Sequence, residues 1–194
     1  MTLPTFRYFA ALLAFACCLA ALTVIGRASG NEESPTLRVL RAVPVHTMDR
    51  KEDEPPARRD ARLRVMADAI DGAAKDRVVR AALIVLARRE SGLAAYVYEG
   101  RCADGPPGEQ CDDGKATGPW QLHATDDGPV PESIDEQAAM AASVWRFGRK
   151  RCRRMVPDEL AGAFASYGSG GKCSPSKSSK ARAQETRAMV GRLW

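Results

Sequence analysis

The chain of 194 residues is 45% hydrophobic and carries 29 basic against 24 acidic side chains, a formal charge of +5. Opposing charges that nearly cancel over so apolar a composition exclude wholesale disorder. With the unusual N-terminus set aside, roughly 150 residues remain, enough to bury about two thirds of the unfolded surface in one core and too few for two.

The first element is an almost unbroken apolar run from Tyr8 to Gly26, preceded by Arg7 and followed by Ala28-Ser29-Gly30. A positive flank, an apolar stretch and small residues are the pattern of an export signal cleaved near Gly30. The run is about 18 residues, close to the roughly 20 that cross a bilayer, so residues 1–30 are expected to be a signal peptide or a membrane anchor. A lipid-modified Cys17 is disfavoured, because Phe15 is too bulky beside Ala16-Cys17. Residues 31–59 then change character, with Pro35, Pro44, Pro55 and Pro56 interrupting the charged run from Asp49 to Glu54. Prolines oppose a long helix and dense charge opposes collapse, so this stretch is expected to be a flexible tether, with a short strand over 37–45 as its alternative.

Helical signals dominate from residue 60 onward, and the folded domain is expected over 60–194. Leu63, Met66, Ala67 and Ile70 recur at helical spacing within 60–74. The segment from Asp76 to Arg89 is apolar all round, the mark of a central helix. Residues 92–131 are rich in Gly, Pro and Asp, with short extended pieces expected over 93–99 and 119–123. Ser133 and Glu136 form a capping box for a helix that Gly148 is expected to stop. Pro157, Asp158 and Glu159 suit the first turn of the next helix, which Gly168 ends. A last helix is expected over 179–193. The fold class is therefore mainly α, α+β at most, with an irregular loop region.

Export would put Cys102, Cys111, Cys152 and Cys173 in an oxidising compartment, where an even set points to two disulfides. Three pairings are open. The preferred one joins Cys102 to Cys111, which bracket a Gly/Pro loop, and Cys152 to Cys173, which join two helical regions. With no C-x-x-C pair and only His46 and His123 available, a zinc site is not expected, and neither is a cofactor.

The chemically suggestive residue is Glu90, at the end of the apolar helix. A carboxyl group emerging from a core wall into a cleft would have its pKa raised by burial, and a carboxylic acid kept protonated in this way can donate to a glycosidic oxygen. The plain alternative is a solvated glutamate at a helix end.

Three motifs in order carry a resemblance to a known family: Glu90-Ser91-Gly92 after an apolar helix, Gly118-Pro119-Trp120-Gln121-Leu122, and Ala163-Phe164-Ala165-Ser166-Tyr167-Gly168. Together they resemble the lytic transglycosylases with a goose-type-lysozyme-like fold, over about residues 60 to 194. Gly168 stands where that family usually has Asn, and Pro119-Trp120 where it has Leu-Met. The resemblance implies a lysozyme-like helical domain in which Glu90 is general acid and then base, with Ser91 orienting its carboxylate. It further implies that Gln121 contacts the sugar, that Tyr167 lies at the cleft floor, and that Trp120 either stacks on a sugar or closes the core beneath the loop. The implied reaction needs one carboxylate, because the C6 hydroxyl of N-acetylmuramic acid attacks its own anomeric carbon and leaves a 1,6-anhydro sugar. Lysozyme-type hydrolysis stays open, since Asp104, Glu109, Asp112, Asp113, Asp126 and Asp127 all offer a second carboxylate. The stretch from Cys102 to Gly114 also resembles one copy of a short cysteine-rich repeat of exported proteins. Its acids miss EF-hand spacing, so a disulfide-closed lid is expected there rather than a calcium site.

Basic residues cluster at Arg146, Arg149, Lys150, Arg151, Arg153 and Arg154. A solvated face is the default for such a cluster. Outside the cytoplasm it would attract anionic envelope polymers rather than nucleic acid, whose binding modules interleave aromatics that are scarce here, at 6%. The expected partner is the peptidoglycan glycan strand, met in the periplasm, in the cell envelope or after secretion. The expected activity is cleavage of its MurNAc-GlcNAc bond, with a non-catalytic wall-binding module as the alternative from another class.

Overall fold

The computed structural model describes residues 33–102, 111–124 and 129–194, without the side chains of 112 and 113. The segment expected to be a signal or anchor lies outside the described residues. Among the described residues, no helix is long and apolar enough to cross a membrane. Residues from Ser34 to Trp194 form one compact, mostly helical unit.

The expected tether is corrected by two helices, α1 (Pro35–Arg41) and α2 (Thr47–Lys51). Proline did not prevent them, because Pro35 occupies the first helical turn, where its missing N–H costs nothing, and Ser34 caps the Leu37 amide. Leu37, Val39 and Leu40 are buried in the main core, so neither a strand nor a solvated spacer describes 37–45. The dense charge is likewise paired: Arg41 meets Asp60, and Arg62 meets Asp49 and Glu54.

Helix α3 (Pro56–Ala73) starts four residues before Asp60, again with proline in its first turn. Helix α4 (Arg77–Ser91) is the expected central helix. Asp76 caps the amides of Val78 and Val79, and Gly92 ends it in the left-handed region at φ 59°. Its interior residues from Ala81 to Ala87 are all buried, and α1, α3, α7 and α9 surround it. The extended piece expected over 93–99 is instead the short helix α5 (Ala95–Tyr98), whose Ala95 amide bonds to buried Asp49. After α6 (Cys111–Gly114) comes the one hairpin among the described residues, β1 (Ala116–Thr117) against β2 (Leu122–His123). It is antiparallel, with Ala116 opposite His123 and Thr117 opposite Leu122.

Helix α7 (Ile134–Cys152) runs through Gly148 instead of stopping there. That glycine is where α7 meets the next helix, since a Cβ on it would lie 2.9 Å from the Ser166 side chain. Ser133 makes no side-chain cap. Helix α8 (Glu159–Gly168) ends where expected but starts at Glu159, with Pro157 outside it and Asp158 capping Leu160 and Ala161. Helix α9 (Lys177–Val190), capped by Ser176, completes the unit against α4 and α8. Both preferred disulfides form, Cys102–Cys111 and Cys152–Cys173.

Candidate active site

Helix α4 determines where the candidate site lies. Leu83 and Glu90 are separated by two helical turns and so share a face. Wholly buried Trp120 donates its indole N–H to the Leu83 carbonyl at 3.0 Å, pinning the hairpin turn onto that face. This corrects Trp120 as a sugar-stacking residue: it closes the core, the alternative kept open for it. Tyr167, at the end of α8, donates its hydroxyl to the Trp120 carbonyl at 2.8 Å. The three motifs are thus mechanically coupled, with α8 holding the turn and the turn held to α4.

The turn itself has demanding geometry. Gly118 has φ +70° and Gln121, a non-glycine residue, has φ +49°. The Gln121 amide N–H bonds the Gly118 carbonyl at 3.0 Å, and so does its side-chain Nε2 at 3.0 Å. A left-handed glutamine costs of order 1–3 kcal/mol and persists only where the surroundings enforce it. Here the enforcement comes from the buried tryptophan on one side of Gln121 and the paired Leu122 on the other.

Glu90, Gln121 and Tyr167 come together around a cavity of about 490 Å³, walled also by Leu122, Met140 and Val144. Glu90 and Gln121 line a second cavity of about 370 Å³ on the other side, which reaches His46, Ser91 and Tyr96. Both volumes suit a small ligand or a sugar unit. In each, Glu90 is the sole carboxylate lining among the described residues. Of the loop acids, Asp104, Glu109, Asp126 and Asp127, and the side chains of Asp112 and Asp113, lie outside what is described.

Two features of the expected site are corrected. Ser91 does not orient the carboxylate: its hydroxyl donates to the Ala87 carbonyl at 2.7 Å and accepts from the Leu93 amide, so it finishes the helix end. Glu90 is also not sheltered by apolar surroundings. Its side chain is 22% exposed and its Oε1 meets the Arg182 guanidinium of α9. Neighbouring Arg88 and Arg89 both pair with Glu185, one turn further along α9. Burial pushes the Tyr167 phenol well above the ordinary tyrosine range. The nearby Glu90 charge adds to the rise and Arg182 opposes it.

Arg182 and His46 were not anticipated. Arg182 had a faint signal, since Arg-x-x-Glu on the last helix complements Arg-Arg-Glu at the end of α4. His46 had none: it caps α2 through Nδ1 and lies so close to Gly92 that a Cβ there would come within 2.6 Å of its ring. Among the described residues no cluster of His, Cys, Asp and Glu could hold a metal ion. Comparison of the chain with protein-family models, with curated proteins and with solved structures finds no match.

Proposed function

We propose that the chain cleaves peptidoglycan glycan strands as a lytic transglycosylase, with Glu90 as its one acid–base group. The supporting observation is the convergence of Glu90, Gln121 and Tyr167, from three distant stretches of sequence, on one groove. In the proposed reaction Glu90 gives its proton to the glycosidic oxygen as the bond from the anomeric carbon breaks. The carboxylate then takes the proton of the C6 hydroxyl as that oxygen bonds to the same carbon. The proton balance closes on one residue, and the products are a free GlcNAc end and a 1,6-anhydro-MurNAc end. Arg182 must release Glu90 for the glycosidic oxygen to approach, and it remains available to hold the carboxylate form between the steps.

The Glu90–Arg182 pair also favours a second reading, a wall-binding module without turnover, in which the pair only fastens α9 to α4. Both readings are tested with the full chain on purified sacculi, with released fragments read by mass spectrometry. Transglycosylation leaves ends one water lighter than hydrolysis does. The Glu90→Gln variant is expected to bind the wall and to lose about a hundredfold or more of the release, the scale of a general acid–base group. Equal release by the two proteins would sink the assignment of Glu90, and binding without release by the wild type would establish the second reading.

A further inference from the structure

The chain has two strongly basic stretches, and the first is the denser. Between Glu136 and Asp158 no acidic residue occurs and six basic ones fall from Arg146 to Arg154, whereas the six basic residues from Lys172 to Arg192 are spread over 21 positions and include Arg182 and Arg187, which are paired with Glu90 and Asp158. The first stretch also holds two of the most exposed large apolar side chains of the unit, Phe147 at 63% and Met155 at 65%. Phe147 and the stems of Lys150, Arg151, Arg153 and Arg154 enclose an open cavity of about 500 Å³. The backbone beneath is fixed, because Cys152 at the end of α7 is bonded to Cys173. Met140, Val144 and Phe147 follow one another at helical spacing on α7, so the apolar strip continues from the wall of the candidate groove out to the basic cluster.

Two of the basic residues are already engaged. Arg149 pairs with Glu159, and Arg146 donates to the Ala73 carbonyl. No ion pair is found for Lys150, Arg153 and Arg154 among the described residues. A purely solvated face has no use for a cavity that Phe147 lines together with four basic residues. A site for a soluble polyanion would need the charges and gain nothing from the apolar residue. An aromatic group ringed by long cationic side chains, whose stems lie along apolar matter while their heads seek anions, matches the boundary of a charged lipid layer.

We propose that the end of α7 is a docking surface for an anionic lipid bilayer, with Phe147 entering the headgroup boundary and Lys150, Arg153 and Arg154 meeting lipid phosphates. The docking surface rests on residues 144–156 alone, and it stands whether or not the groove cleaves glycan. Docked in this way, the domain holds near the membrane the helix whose Met140 and Val144 wall the groove.

The test uses the full chain with vesicles of phosphatidylcholine alone or with one third phosphatidylglycerol, by co-sedimentation and by hydrogen exchange over 144–156. The apolar run contributes to both vesicle types, and substitutions confined to the patch separate its share of the difference from that of the other cations of the chain. Anionic vesicles are expected to bind at least tenfold more tightly and to slow exchange in 144–156, with both effects fading as salt rises. Replacing Lys150, Arg153 and Arg154 by Gln should weaken anionic binding about a hundredfold, at about fivefold for each cation. Phe147→Ser should lose the exchange protection while leaving binding to soluble polyphosphate unchanged. Equal behaviour on the two vesicle types would overturn the proposal. So would a Phe147→Ser protein protected like the wild type, which would make the patch a polyanion site, or self-association that Phe147→Ser abolishes.

Discussion

Tyr167 carries two consequences at the scale of one side chain. Its hydroxyl is the only donor found for the Trp120 carbonyl among the described residues, so Tyr167→Phe is expected to cost about 1–2 kcal/mol, the range for a hydrogen bond removed from a buried acceptor. The second consequence is a pH dependence. Burial first, and the Glu90 charge second, raise the folded phenol above the free value of about 10. A group raised on folding contributes stability that is complete below the unfolded value and lost as pH rises through the folded one. The melting temperature of wild type should therefore exceed that of Tyr167→Phe by a constant margin up to about pH 10, and the margin should shrink beyond it. A margin unchanged at pH 11 would show that the phenol is not sheltered.

At the scale of elements, the hairpin turn is the part most sensitive to sequence. A Cβ on Gly118 would lie 1.9 Å from Oε1 of buried Gln137, at a φ of +70°. Gly118→Ala should cost at least about 2 kcal/mol, from the clash and the backbone strain together. In a Gln137→Ala background, which already lacks the Gln137 bond to the Pro131 carbonyl, the same glycine change should cost only about 1 kcal/mol, the backbone strain alone, and thermal or urea unfolding of the two single variants and the double variant would read this. If the glycine change costs as much without Gln137 as with it, the contact with Gln137 is not what fixes the glycine. Helices with a clean apolar stripe or a terminal acid, such as α4 after Asp76 and α8 after Asp158, were legible because local chemistry and packing agree there. Helices α1 and α2 were not, since prolines at helix starts and charges that find partners across the fold look, one residue at a time, like a solvated spacer. The same blindness to distant partners hid Arg182. Which residues share the groove was legible from motif order, whereas the hydrogen bonds of Ser91 and the burial of Trp120 depend on neighbours that no linear spacing reveals. Gly148 was misjudged for a related reason, because a glycine required by close helix packing carries the same letter as one required by a helix end.

For the molecule as a whole, the two disulfides divide unequal duties. Cys152–Cys173 spans 21 positions and ties the end of α7 to the segment before α9, while Cys102–Cys111 spans 9 and closes a local loop. Removing the longer link by Cys152→Ala with Cys173→Ala should cost about 3 kcal/mol in the chain-entropy account, somewhat more than removing the shorter one. Comparison of the two double variants by calorimetry checks the order. The largest lever on integrity lies elsewhere, in Arg62. Its guanidinium is 4% exposed, holds Glu54 at 2.8 Å and Asp49 at 3.4 Å, and donates to the Leu93 carbonyl just beyond Glu90. Stripping one member from so dry a cluster strands the others without compensation, typically at 3–5 kcal/mol. An expression boundary placed after Glu54 would take both carboxylates away from buried Arg62, so any piece of this protein that keeps its interior charge compensated has to begin before Asp49.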